Sequence, residues 1–359
     1  YYTKSLGGQF FTDQNVTNLA MELLEFNPLN GDVLADLCAG TGGFLLAGIN
    51  HTHNLLAKQN IIEEDQLAKL TLKSIIGFEI DHTVATVANS SIQSRIGKRS
   101  EYVKVKDTLK SGTGKKYACL ATNPPFGTKI TIKDTNVLSK YTISQRKKSG
   151  KIIQAPTPPD ILFIEQNINH LDDETGRLAI VLPYQILSGP KALPIRNWIL
   201  DRCIITAIID LPIETFQPHT GTKTSLVVLK KRNKSNINYN VFMSIPKWIG
   251  HDRRGLPVFK RNEDGSISHE ILCDFEKVIV DWKKYKKGKD FDNNSISFSI
   301  KSDQIFNDSS KRINAKFYKK ESQSSNIIIN ENKFNYLKLK DVTQKIFYPG
   351  RFKRNYVEK

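Results

Sequence analysis

The first 230 residues predict an α/β fold built on a doubly wound, mostly parallel sheet, followed by a basic C-terminal extension. Three observations carry this expectation. Short β-branched runs alternate with segments of helical spacing. Those runs are apolar on both faces, as strands covered by helices on two sides are. Glycines or acidic residues follow directly on several of them, where open α/β sheets bind ligands.

Residues 33–38 read as a buried strand, followed by glycines and an amphipathic stretch over 43–58. Residues 74–79 give the next strand and 83–96 the next helix, and 102–106 and 117–122 give two more strands. Helical spacing returns at 160–171, with Ile161, Phe163, Ile164, Ile168 and Leu171 on one face. A strand at 177–182, a helix at 193–201, a strand at 204–211 and an apolar run at 224–229 complete the series. The last two strands have no helix between them, so the final one is expected to run antiparallel. Between Phe126 and Asp160 lies a stretch rich in Lys, Thr and Ser. A structureless loop of that length needs a function or is misassigned. The polar residues 231–240 are taken as the end of the sheet domain, 275–285 as a helix and 286–295 as a linker.

Length and charge narrow the class of partner. A chain of 359 residues suggests about two domains. With 39% hydrophobic and 25% charged residues it is not a wholly disordered chain. The longest apolar stretch, 178–187, is too short to cross a bilayer, which takes about 20 residues. Cys38, Cys119, Cys203 and Cys273 are scattered, which argues against a disulfide framework or a zinc site and for a cytoplasmic location. The chain opens at Tyr1 with neither Met nor a leader and stops in a basic run, so we read it as a piece of a longer protein. The formal charge is +17 and it is segregated: residues 104–155 hold 12 basic and 2 acidic side chains, and 230–359 hold 29 and 15. A near-neutral scaffold with two basic segments fits a nucleic-acid partner, because phosphate contacts supply most non-specific affinity.

Four motifs carry the chemistry. Asp36-Leu-Cys-Ala-Gly40-Thr-Gly42-Gly43-Phe44 follows a strand and opens a helix, so its glycines allow a tight turn and close approach to a nucleotide-like ligand. It lacks the Lys-Ser/Thr of a phosphate loop, and alone it could be only a corner. Glu79, at a strand end, can accept from both hydroxyls of a ribose; a carboxylate at a helix N-terminus is the plainer alternative, for which Asp81 also competes. Asp107, after the third strand, can accept from an adenine amino group. In Asn123-Pro124-Pro125-Phe126 the Asn side-chain oxygen and the Pro124 carbonyl can both accept from one amino group, and Phe126 offers a π-face to a base. A conjugated amine is a poor nucleophile. Two fixed acceptors favour its pyramidal form, a stabilisation that grows toward the transition state.

With Gly8-Gln9-Phe10-Phe11-Thr12 in front, this ordered set resembles an adenine-N6 DNA methyltransferase. The match is to the modification-subunit type of restriction–modification systems, either a type I modification subunit or a fused restriction–methylation enzyme. Leu162 to Glu165, Gly176 to Pro183, Ile208 to Pro212 and Gly221 to Ser225 resemble the family's remaining blocks, so the likeness covers about residues 5–230. Asp13 departs from it, since the family usually has proline there.

The resemblance implies a seven-stranded Rossmann-like methyltransferase sheet and S-adenosylmethionine as cofactor. It implies that Phe11 and Thr12 lie along the methionine end, with Asp36 and the backbone from Cys38 through Gly40 to Gly42. Glu79 would hold the ribose and Asp107 the adenine. Asn123 and Pro124 would bind the amine of an adenine flipped out of double-stranded DNA, stacked on Phe126. No metal and no covalent nucleophile is called for, and no membrane. Lys129, Lys147, Lys148 and Lys151 are expected on the DNA backbone. The implied domains are 1–230 for methyl transfer, 231–310 as a basic linker region and 311–359 as the start of a target-recognition region, on the likeness of Arg312 to Tyr318 and Leu337 to Val342. Specificity and restriction subunits, or fused domains, would complete the system. Rivals are a methyltransferase for RNA or protein glutamine, a cytosine-N4 enzyme (which usually has Ser at the Asn123 position), and a non-catalytic DNA-binding scaffold.

Overall fold

A computed structural model of the chain describes residues 11–60, 64–126, 130–232, 238–292 and 295–319. The alternation of strand and helix resolves into one nine-stranded sheet. Seven strands are those expected: β1 (Leu34–Asp36), β2 (Ile75–Glu79), β3 (Val103–Val105), β4 (Cys119–Thr122), β5 (Arg177–Pro183), β6 (Cys203–Asp210) and β7 (Thr224–Lys231). Two more, β8 (Asn240–Ser244) and β9 (Ser297–Lys301), extend the sheet. The spatial order is β9-β8-β6-β7-β5-β4-β1-β2-β3. Strands β1 to β6 and β8 pair in parallel where they adjoin, whereas β7 runs antiparallel to both β5 and β6, as the missing helix implied.

The expected end of the sheet at residue 230 is corrected by β8 and β9. Phe242 of β8 pairs with Ala207 of β6, and Met243 pairs with Phe298 of β9. Five residues of Asn-Val-Phe-Met-Ser carry little signal by themselves. They form a strand because a distant helix, Phe275–Lys286, covers them, with the Trp282 and Tyr285 rings 5.3 and 5.4 Å from Phe242.

Helix α1 (Gln14–Leu24), not assigned from the sequence, precedes β1 and buries Val16, Leu19, Ala20, Leu23 and Leu24, an i, i+3, i+4, i+7, i+8 stripe. Asp13 caps it, accepting from the Asn15 amide at 2.7 Å. Its φ of −55° lies near the value a proline ring would impose, so the departure from the family pattern keeps the backbone and adds a cap. Helices α2 (Gly43–Lys58), α3 (Glu64–Ser74), α4 (His82–Ile96), α5 (Pro159–Asn169) and α6 (Leu193–Arg202) follow. None of the described helices is long and apolar enough to cross a membrane.

The long stretch after Phe126 is not structureless. Ile132 and Thr157 exchange backbone hydrogen bonds at 2.9 and 3.1 Å and close its base. Beyond them stand a short helix, Thr135–Leu138, and a two-stranded hairpin pairing Gln145–Lys148 with Lys151–Gln154. Ser149 and Gly150 have φ of 49° and 79°, the two positive values that a two-residue hairpin turn requires. The excursion is pinned to α5 by Glu165, which is buried and accepts from the Ile143 amide at 2.8 Å and the Thr142 hydroxyl at 3.0 Å.

By compactness the chain divides into residues 1–316 and 317–359. Leu337 to Val342 fall outside the described residues. So do Gly8, Gln9 and Phe10 at the other end.

Candidate active site

Strand order reverses between β1 and β4: from β1 the chain goes outward to β2 and β3, then returns to β4 on the other side. The crevice beyond the carboxyl ends of the strands at such a point is where open α/β sheets bind ligands. The glycine turn and the Asn-Pro-Pro corner emerge there side by side, with Ala35 of β1 in register with Leu120 of β4.

The glycine turn is held from beneath by carboxylates. Gly40 and Gly42 have φ of 53° and 86°, a conformation that strains any side chain with a Cβ. A Cβ on Gly40 would find open space, so nothing among the described residues covers the turn there. Glu79, 2% exposed, accepts from the Gly40 amide at 2.9 Å through one oxygen and from the Ile80 and Asp81 amides through the other. The helix-capping alternative belongs to Asp81 instead, which accepts from the Val84 amide and starts α4. Asp36 is 1% exposed and does not reach the cleft. Its Oδ1 accepts from the Cys38 amide at 3.1 Å and the Thr122 hydroxyl at 2.7 Å, and burial pushes its carboxyl up to about 7. This corrects the expectation that Asp36 touches a ligand: it ties the turn after β1 to the end of β4. The Cys38 thiol, 2.9 Å from the Thr122 hydroxyl, is held well above its usual range, first by burial and then by Asp36, and is no nucleophile. Asp107 caps the short helix Thr108–Ser111 with Oδ1, while its Oδ2 lies 3.7 Å from Lys110 Nζ.

Asn123 follows Thr122 and donates through Nδ2 to the Thr12 hydroxyl at 3.1 Å, which sets which way round its amide stands. The N-terminal segment and the corner are thus joined. Phe11 lies exposed beside them. Phe126 is otherwise than expected. Its ring is 1% exposed and meets Phe216 edge to face at 5.3 Å, so it presents no open π-face to a base. The apolar core claims a side chain that local sequence assigned to the ligand.

The basic residues divide. Lys147 and Lys151 stand exposed on the hairpin, Lys129 lies outside the described residues, and so does the side chain of Lys148.

Two features were not read from the sequence. Ile80, directly after Glu79 at the carboxyl end of β2, is 62% exposed, a single apolar side chain on the crevice side of the strand ends. Its signal was an isoleucine at the very end of a strand, before a polar helix start. Asp210, at the end of β6, is buried and accepts from the Tyr184 hydroxyl, from Ser225 Oγ at 2.7 Å and from the Lys316 amide at 2.8 Å. Residues 310–316 therefore close against the sheet: the Ile313 amide donates to Leu187 at 2.9 Å and Arg196 Nε to Ser310 at 2.9 Å.

A family model described as N-6 DNA Methylase matches residues 2–326. The methylase subunit of the type I restriction enzyme EcoKI from Escherichia coli is 26% identical over 283 residues, 77% of this chain and 50% of that one. The chain spans about half the length of the curated relatives it matches. Among solved structures, the type I restriction-modification methyltransferase subunit of Streptococcus thermophilus superposes with a TM-score of 0.61 at 19% identity, covering 87% of this chain and 60% of that one. A modification subunit of a type I restriction enzyme from Vibrio vulnificus gives 0.58 at 17% identity, over 86% and 59%.

Proposed function

The chain belongs to the N-6 DNA methylase family, and on that footing we propose that it transfers a methyl group from S-adenosylmethionine to the N6 amine of an adenine flipped out of double-stranded DNA. It would serve as the modification part of a restriction–modification system, with specificity and restriction subunits or fused domains as partners. The observation that carries the reading is the shared carboxylate. Asp36 binds both the amide in the glycine turn and the hydroxyl of the residue before Asn123. Donor turn and acceptor corner are one rigid unit.

The crevice suits the cofactor. The turn is open above Gly40, Glu79 ends β2 with Asp107 just beyond β3, and Ile80 supplies an exposed apolar face. Phe11, Thr12 and the backbone from Cys38 to Gly42 would hold the methionine end, Glu79 the ribose and Asp107 with Ile80 the adenine. When bound, S-adenosylmethionine supplies an electrophilic methyl group. Asn123 and the Pro124 carbonyl would accept from the target amine and aim its lone pair into the crevice. This is positioning catalysis, with the displaced proton passing to solvent and no general base assigned. Stacking on Phe126 would first break the contact with Phe216, at about 1 kcal/mol. Lys129, Lys147, Lys148 and Lys151 would lie along the DNA backbone.

The test is radiolabelled methyl transfer to duplex DNA, RNA and protein, with the modified product identified and Asn123→Ala as control. N6-methyladenine in DNA is expected. Label confined to RNA, protein or cytosine would overturn the reading.

A further inference from the structure

A pocket of about 470 Å3 lies beside the N-terminus of α1 and uses none of the residues assigned so far. Glu214, from the turn after β6, faces Lys247, Trp248, His251 and Arg253, from the loop after β8. Trp248 is 47% exposed, yet its backbone is fixed. The buried Asp274 carboxylate accepts from the Lys247 and Trp248 amides at 2.9 and 3.1 Å, and the Asp274 amide donates to the Trp248 carbonyl at 3.0 Å. An open indole on a pinned backbone is a presented surface.

The charges around it are also available. Among the described residues Lys247, Arg253 and Glu214 make no ion pair, whereas Arg254 pairs with Asp252 at 3.2 Å and satisfies that carboxylate locally.

The pocket is linked to the target corner through three chains of contact. His251 Nε2 is 3.6 Å from Asp13, the neighbour of the Thr12 that accepts from Asn123. Asn15 Nδ2 donates to the Ile249 carbonyl at 3.0 Å. Glu214 stands two residues before Phe216, whose ring packs on Phe126.

We propose that this pocket binds the nucleotide next to the target adenine on the same strand. Its base stacks on Trp248, an exocyclic amine of that base donates to Glu214, and its phosphate rests on Lys247 and Arg253. The three kinds of group match the base face, the base edge and the phosphate of a nucleotide: aromatic faces take bases irrespective of sequence, carboxylates accept from base amines, and unpaired cations take phosphate. An acidic peptide would engage the cations and leave the indole and the carboxylate unused. The inference rests on the adenine-methylation reading and assigns that enzyme a second contact with its substrate.

The experiment uses the full chain and labelled oligonucleotides carrying the methylated site, once sequencing of methylated DNA has located it. Trp248→Ala is expected to weaken binding about tenfold and Trp248→Phe by much less, with calorimetric S-adenosylmethionine binding unchanged in both. An abasic site beside the target adenine should abolish the difference between wild type and Trp248→Ala. The Lys247→Ala/Arg253→Ala pair should lower the salt slope by about 0.9, the value for one phosphate contact. Unaltered DNA binding by Trp248→Ala, or an equal loss on intact and abasic DNA, overturns the pocket while N6-methyladenine formation keeps the reading. Trp248-dependent binding at a site whose methylated base proves to be cytosine keeps a pocket for the nucleotide beside the target and removes the adenine reading. Loss of assembly with another subunit at unchanged DNA affinity overturns it in favour of a protein-docking face.

Discussion

Beneath the turn after β1, Asp36 and Glu79 are buried, with Asp36 Oδ1 and both Glu79 oxygens engaged by backbone amides and a threonine hydroxyl; on the hairpin after β4, Lys147 and Lys151 stand in solvent. The first region is organised before any ligand arrives, so each group in it bears on the position of several others. The second region acts through the number of its charges and their screening by salt, so one lysine can substitute for another. Changes on the turn and corner should therefore be large and specific, and changes on the hairpin small, additive and salt-dependent.

The largest effect is expected at the corner itself. Asn123→Ala should lower methyl transfer by about 10²- to 10³-fold, the range for losing one preorganised group at a reacting centre, with a smaller loss of S-adenosylmethionine affinity through the released Thr12 hydroxyl. Comparable losses in rate and cofactor affinity would take Asn123 off the target amine and leave it only a support of the cofactor site.

Asp36→Asn probes the link between them through pH. The carboxyl stands near 3.8 in an unfolded chain and about 7 when folded, raised chiefly by burial. A folded state that binds the proton more tightly is favoured most below pH 4, and that contribution is lost as pH rises through 7. Three pKa units correspond to an upper bound of about 4 kcal/mol. The variant keeps an acceptor for Cys38 and Thr122 but cannot ionise, so its melting temperature should fall less than that of the wild type between pH 4 and 9. A difference that is constant across this range would rule out titration of Asp36.

Glu79→Ala removes the acceptor of the Gly40 amide and should weaken S-adenosylmethionine binding by roughly 1.5–3 kcal/mol in calorimetry, about 10- to 100-fold. An unchanged dissociation constant would move the ribose site elsewhere.

The smallest effect belongs to the hairpin. Lys147→Ala with Lys151→Ala should reduce the slope of log affinity against log salt by up to about 1.8, at little cost to catalysis at low salt. An unchanged slope would detach the hairpin from DNA.

Much of this comparison was legible in the residues. The parallel strands announced themselves because a strand buried on both faces must be apolar throughout, and the Gly40–Gly42 turn because only glycine adopts its φ without strain. Helix α1 went unassigned although its apolar stripe and its Asp13 cap are local signals. Strand β8 was not legible, since Asn240–Ser244 becomes a strand only when Trp282 and Tyr285 arrive to cover Phe242.

By itself, then, the sequence determined seven of the nine strands and their succession, the antiparallel β7, the glycine turn and the polar corner, because local backbone preference and burial periodicity are written residue by residue. Tertiary structure alone decided that Asp36 is a buried tie, that Phe126 faces Phe216, that the sheet continues to Lys301 and that Trp248 lines a pocket with His251, which reaches Asp13. Whether a side chain meets ligand, solvent or core depends on partners far away in the chain, and no local pattern encodes them.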